Sequence, residues 1–411
     1  MYDAAIMWDW VAFAVRWTHI ITAMAWIGAS FYFIALDLML KPATDMPKGA
    51  SGEEWEVHGG GFYHTTKYMV APDRLPEHLT WHKWQSYSTW LSGATLLMIV
   101  YWVSGELYLL DPSKADLALW QGIVLSAASI AVGWVVYDAL CKSALGERPT
   151  LMMLALFAII VAMSWGLNQV FTGRAALLHL GAFTATIMTA NVFFIIMPNQ
   201  RIVIADLKAG RTPDAKYGKI AKLRSMHNNY LTLPVIFLML SNHYPLAFGT
   251  QFAWIIASLV FLTGVTIRHY FNTMHRTGKG PLWTWGVTAV LFITMAWLST
   301  ASTWDGDYEA LEATELTAYE TAFAEAEGFD AALNAVIGNC SMCHARDPAW
   351  DGIRWAPKGV HLETPADVAR HAKAIYLQAG VSHAMPPPNA VQMDPAARAD
   401  IVAWVRNATD G

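Results

Sequence analysis

Residues 338–348 read GNCSMCHARDP, and within them Cys340, Cys343 and His344 form a C-x-x-C-H signature. Two thiols at this spacing can form thioethers to the vinyl groups of a haem, and the adjacent imidazole then supplies an axial ligand to its iron. A redox-active or zinc-binding C-x-x-C is the competing reading, but zinc needs a second ligand pair and none follows in the tail. One covalent haem c is therefore expected. A sixth iron ligand should follow on a loop some tens of residues later. VSHAMPPPNA offers Met385 ahead of three prolines that stiffen the loop, with Met393 and His383 as rivals. Methionine in that position raises the reduction potential, which suits an electron acceptor. The third cysteine, Cys141, is unpaired and has no expected chemistry.

An acceptor needs a donor, and the rest of the chain holds other polar groups worth weighing. His227, Asn228, Asn229 and Tyr230 place an imidazole, two amides and a phenol within one helical turn. They could recognise a small, polar, planar molecule, or equally cap a helix and meet lipid head groups. The stretch HGGGFYHTTKYMVAPDRLPEHLTWHKW contributes His64, three glycines that let backbone approach a ligand, and aromatics that could stack on a flat ring. His19 and His179 fall inside apolar segments. Each alone reads as a hydrogen-bonded packing histidine. Together they could ligate a second, non-covalent haem b between helices, because ionisable residues in such segments are uncommon and usually line a site.

The elements that must position these groups follow from composition. The chain has 411 residues, 55% of them hydrophobic, with 20 tryptophans and a mean hydropathy of +0.31, more apolar than a soluble protein. Eight apolar runs approach the roughly 20 residues that a membrane-spanning helix requires: 10–38, 86–108, 117–140, 151–171, 174–197, 229–247, 251–270 and 282–303. Backbone in hydrocarbon must satisfy its own hydrogen bonds, and barrel-type alternation is missing, so these runs are predicted as helices. MYDAAIMWDW has no basic residue, and the first helix is expected to serve as an uncleaved signal. Lysine and arginine crowd one set of connections, from Lys41 to Lys83, Lys142 to Arg148, Arg201 to Arg224 and Arg276 to Lys279. The other set holds only Lys114 and Arg174. That bias places the first set in the cytoplasm and both termini in the periplasm of an inner membrane.

Charge also divides the chain. Residues 1–303 carry 20 basic and 16 acidic side chains, and residues 304–411 carry 7 and 16, giving net charges of +4 and −9. The expected fold is all-α: an eight-helix transmembrane bundle over 1–303, an acidic linker at 304–320, and a domain over 321–411 that resembles a small class I cytochrome c. In that domain Asp394 should cap a closing helix with Pro395 at its first position and Ile401, Val402 and Val405 facing inward.

The blocks EVHGGGFYHTTKY, GAFTATIMTANVFFIIMPNQR and HNNYLTLPVIFLMLSNHYP, followed by that tail, resemble the bacterial membrane-bound urate oxidases, also called urate hydroxylases. The resemblance covers nearly the whole chain. It implies oxidation of urate to 5-hydroxyisourate, with electrons delivered through the haem to the respiratory chain rather than to oxygen, and hence no hydrogen peroxide. On that reading His227 takes a proton from urate or from the attacking water. Asn228, Asn229 and Tyr230 orient the ring, and His64 is the reserve base. The reduced tail would pass its electron to a soluble cytochrome c or a terminal oxidase, its acidity favouring a basic partner. Nucleic acid does not fit so acidic an external domain. Two other classes remain: a quinol-oxidising membrane cytochrome, and a non-catalytic subunit that anchors a cytochrome beside another complex.

Overall fold

The computed structural model describes residues 4–68, 72, 75–301, 316–350, 353, 356–387 and 391–410. A long first helix, α1 (Ala4–Met39), leads to a hairpin of β1 (Ala50–His58) and β2 (Gly61–Tyr68). Then come α2 (Trp84–Leu97), α3 (Gly105–Tyr108), α4 (Leu119–Lys142), α5 (Pro149–Asn168), α6 (Gly173–Ala190), α7 (Met197–Lys208), α8 (Ala215–Ser241), α9 (Pro245–Phe248), α10 (Ala253–Thr277) and α11 (Trp283–Ala301). The tail comprises α12 (Ala318–Ala324), α13 (Phe329–His344), α14 (Pro365–Arg370), α15 (Ala372–Ile375) and α16 (Pro395–Asp410). π-helical stretches follow α2 at Met98–Trp102 and join α6 to α7 at Asn191–Ile196.

Six helices among the described residues are long and apolar enough to cross a membrane: Ile6–Met39, Leu119–Lys142, Pro149–Asn168, Gly173–Lys208, Ala253–Thr277 and Trp283–Thr300. Two of the eight expected runs fall short of that measure. The run at 86–108 is 14 residues of α2 before the helix widens into its π stretch, and the run at 229–247 is the second half of α8, whose first half is strongly basic. Large apolar side chains on α1 and α11 face outward, Trp10 at 64% and Ile293 at 67% exposure among them, a surface that hydrocarbon can cover.

The structure departs from the all-α expectation at the hairpin. Glycines at 59 and 60 both hold positive φ (58° and 81°), the pair of left-handed residues that a two-residue hairpin turn needs, and His58 pairs with Gly61 across it. The HGGGFYHTTKY part of the glycine-bearing stretch is thus the turn and second strand of an antiparallel ribbon in which Trp55 stands opposite His64. Asp37 of α1 fastens it, binding both Lys67 of β2 and Lys222 of α8. Its carboxylate is the joint between three elements.

Helices α4, α5, α6, α8 and α10 share one buried core that includes Leu156, Leu177, Leu180, Phe183, Leu238 and Ala257. Small residues set its spacing. A Cβ on Gly264 of α10 would stand 2.5 Å from Cδ of Pro234 in α8, and one on Gly133 of α4 would run into the Phe183 ring of α6. Helices approach this closely only where the side chain is absent.

The tail has a core of its own, built on Phe323, Val336, Leu362, Ile375, Ile401 and Trp404. Thr317 caps α12 in a reciprocal box with Glu320, so the folded tail begins inside the stretch read as linker; residues 304–315 of that stretch lie outside the described residues. Asp394 caps α16 as expected, its Oδ1 accepting from Ala396 N at 2.8 Å. Ile401 and Val405 are buried, together with Trp404, whose Nε1 donates to the Phe323 carbonyl at 2.7 Å. Gly359 of the tail lies against Pro245 of α9, which places the tail beside that end of the bundle.

Candidate functional site

The densest buried polar group centres on α8. Asp214 starts this helix, its Oδ1 accepting from Lys216 N at 2.9 Å, and that bond, with the Lys216 ammonium, holds the Asp214 carboxyl below the usual carboxylate range. One turn apart on the same face stand Arg224, His227 and Asn228. All three are buried, at 2%, 3% and 5% exposure. Burial of this kind demands partners, and they come from α4 and the π stretch after α6. Arg224 donates to Asp138 Oδ1 at 2.6 Å and to Asn191 Oδ1 at 3.0 Å, with its guanidinium over the Tyr137 ring. Asn191 Nδ2 donates to Asn228 Oδ1 at 2.9 Å and to Tyr137 Oη at 3.0 Å, and Tyr137 Oη lies 2.8 Å from His227 Nδ1. Asn228 closes the group by donating to the Met188 carbonyl. π-helical widening often marks functional positions, and here it begins at Asn191, the residue that joins the guanidinium, the amide and the phenol.

His227 Nε2 has no hydrogen-bond partner among the described residues although it is buried. Tyr137 Oη, which accepts from Asn191, has a second lone pair that can accept the Nδ1 proton of His227, in the tautomer that leaves Nε2 unprotonated. The arrangement is an imidazole held at one nitrogen and open at the other.

Asn229 belongs to a different group. Residues two apart on an α-helix point about 200° apart, and Asn229 accordingly faces α10. Its Oδ1 accepts from Arg268 Nε at 3.2 Å and from Asn272 Nδ2 at 2.9 Å. Arg268 Nη2 donates to Asn272 Oδ1 at 3.0 Å, and Phe31 of α1 covers the guanidinium. Asn229 Nδ2 is buried and has no partner among the described residues. The four-residue HNNY run is therefore split between two sides of α8, with Tyr230 half-buried beyond them. Sequence reading passed over Arg224, Arg268, Tyr137, Asp138, Asn191 and Asn272. Arg268, a charge within an apolar span, carried a usable signal; Arg224 was hidden in a basic run that resembles a cytoplasmic connection.

The other expected residues lie elsewhere. His64 Nε2 donates to Glu53 Oε2 at 2.9 Å and the ring stacks on Trp55, and none of its described contacts is with the His227 group. His19 Nδ1 sits 3.0 Å from the Thr89 carbonyl and 3.2 Å from Ser92 Oγ, packing α1 against α2. His179 is fully buried, with Nδ1 donating to the Ala175 carbonyl at 2.8 Å and Nε2 2.7 Å from Ser126 Oγ. Both of its ring nitrogens are engaged, so ligating iron would require His179 to give up the bond to Ser126.

Residues 5–299, nearly the whole bundle and both polar groups, match the family described as urate oxidase N-terminal. The chain belongs to that urate oxidase family. No curated protein and no solved structure matches it.

The tail of this urate oxidase family member lies outside the matched residues. Cys340 is buried, and burial pushes its thiol up to about 11, so it stays protonated. His344 Nδ1 donates to the Val360 carbonyl at 2.9 Å, which fixes the tautomer and leaves Nε2 for a metal, the second-shell arrangement that orients ligating imidazoles. Met385 is exposed, on a loop whose carbonyl accepts from Arg398 Nη1 at 2.8 Å, whereas Met393 is packed in the tail core. Cys340, Cys343, His344 and Met385 could thus hold a haem, with Met393 committed to packing. Among the described residues no three or more His, Cys, Asp or Glu side chains converge as a metal held by protein alone would need.

Proposed function

We propose that this protein oxidises urate to 5-hydroxyisourate within the membrane and passes the electrons to a haem c on its tail, without forming hydrogen peroxide. The observation that carries the substrate is the urate oxidase family match over residues 5–299. In the proposed topology α2 and α8 cross the bilayer with the six apolar helices, and both termini and the tail face the periplasm of an inner membrane. The tail as an electron-carrying domain rests on the C-x-x-C-H signature and on the Val360 bond that leaves His344 Nε2 open.

The reaction adds water to urate and releases two electrons and two protons. His227 is the proton acceptor, at Nε2, directly or through one water. Tyr137 and Asn191 hold its ring, and Arg224 with Asp138 holds Asn191. A bound haem would be held by Cys340, Cys343, His344 and Met385 and would supply a one-electron acceptor. A soluble cytochrome c or a terminal oxidase then takes the electrons, one at a time.

The test is reduction of ferricytochrome c by the purified full chain with urate as donor, with peroxide assayed alongside. Urate-dependent reduction without peroxide is expected. Reduction driven by quinol alone, or by neither donor, overturns the proposal in favour of a quinol-oxidising or an anchoring cytochrome. A pyridine haemochrome spectrum should be c-type, and a b-type component would support a second haem in the bundle, for which His19 and His179 are the candidate ligands.

A further inference from the structure

Arg268 is a cation buried within α10, at 5% exposure, and no carboxylate among the described residues pairs with it. Arg224, on the other side of α8, shows the usual remedy in its 2.6 Å contact with Asp138. A guanidinium taken out of water without a counter-ion is strongly disfavoured unless something else supplies the negative charge.

The surroundings point to what that is. Phe31 covers the guanidinium at 4.3 Å, and Arg268 spends Nε and Nη2 on the oxygens of Asn229 and Asn272. Asn272 Nδ2 also donates to Asn229 Oδ1, so that oxygen accepts twice. The bonds of Arg268 to described residues use Nε and Nη2 and leave Nη1 over, and Asn229 Nδ2 is buried with no partner among the described residues. Spare donors and an uncompensated positive charge thus meet under an aromatic ring, with both amide oxygens already used.

We propose that Arg268, Asn229 and Asn272 form a binding site for a small planar anion at the junction of α1, α8 and α10, and that the anion is urate, captured there on the far side of α8 before it reaches His227. The site rests on the unbalanced charge; its occupant rests on the oxidase reading above. Urate is largely anionic at neutral pH and presents oxygens and ring nitrogens that accept from such donors. A guanidinium fork suits a planar, multi-acceptor anion better than an ammonium does.

The experiment measures radiolabelled urate binding to the detergent-solubilised full chain by equilibrium dialysis, with turnover and thermal unfolding recorded on the same preparations. Arg268→Gln removes the charge, and Asn272→Asp supplies an internal carboxylate that neutralises it while keeping the group buried and paired. Both should weaken urate binding at least tenfold, and Asn272→Asp should do so with unfolding no easier than in the wild type. Wild-type affinity in a folded Asn272→Asp variant overturns the site. Urate turnover by the wild type that neither substitution affects does the same while leaving the oxidase reading intact. If the wild type neither binds nor oxidises urate, yet nitrate protects it and not Arg268→Gln from unfolding, the anion site stands and the oxidase reading falls. Loss of retained phosphatidylglycerol from Arg268→Gln, with urate binding unchanged, assigns the charge to a lipid head group and overturns the proposal.

Discussion

Tyr137 Oη lies 2.8 Å from His227 Nδ1, between residues 90 positions apart in the chain. The bond joins α4 to α8 and turns a packing histidine into one with a fixed ring and an open nitrogen. His227→Ala should lower urate turnover about a hundredfold or more, the scale of a lost proton acceptor. Tyr137→Phe should lower kcat about tenfold with little change in KM, since it removes a positioning bond and not a substrate contact. Steady-state kinetics with ferricytochrome c checks both, and full activity in His227→Ala would move the chemistry elsewhere.

Arg224 and Asp138 form an ion pair with side chains 3% and 16% exposed. Removing one partner leaves a buried charge unbalanced, which typically costs about 3–5 kcal/mol. Asp138→Ala should therefore unfold at a clearly lower temperature in detergent than wild type. An unchanged midpoint would show that the pair contributes nothing to holding α4 against α8.

The two tail methionines should behave differently. Met385→Ala should change the optical spectrum and lower the reduction potential of the haem while the tail stays folded. Met393 is 7% exposed within the tail core, and Met393→Ala should cost about 2–5 kcal/mol of tail stability with the spectrum unaltered. His344→Ala should abolish the c-type spectrum. Exchange of the two methionine phenotypes would reassign the axial ligand.

His371, at the junction of α14 and α15, should make the tail sensitive to acid. Burial lowers its pKa below the usual 6.5, against a smaller upward pull from its bond to the Asp367 carbonyl. The unfolded chain therefore binds the proton more readily than the folded one. Stability contributed by neutral His371 is complete above about 6.5 and is lost as pH falls from there toward the folded-state pKa. Urea titrations of the tail haem signal from pH 7.5 to 5 should show this loss, and His371→Gln should flatten it. Equal slopes in the two proteins would count against the role given to His371.

Much of this protein is written locally. Runs of apolar residues near bilayer length, the lysine and arginine bias between them, the C-x-x-C-H signature and the Asp394–Pro395 helix start are each properties of a few neighbouring residues, so a linear reading reaches them. The hairpin was legible only in part: the paired glycines were noticed, but their turn is defined by both φ angles together with the cross-strand partners of Trp55 and Val57.

What tertiary structure alone decided is which polar groups meet. Sequence grouped His227, Asn228, Asn229 and Tyr230 because they are consecutive, yet the 3.6-residue turn of α8 sends Asn228 to Asn191 and Asn229 to Arg268. Arg224 resembled a loop charge until α4 supplied Asp138, and Arg268 acquired meaning only when the helices packed around it proved to offer amides and an aromatic ring instead of a carboxylate. Local pattern sets what each helix can be, because backbone hydrogen bonding and hydrophobicity act over short distances. Whether a buried charge is satisfied depends on side chains many residues away, and only the packed bundle brings those together.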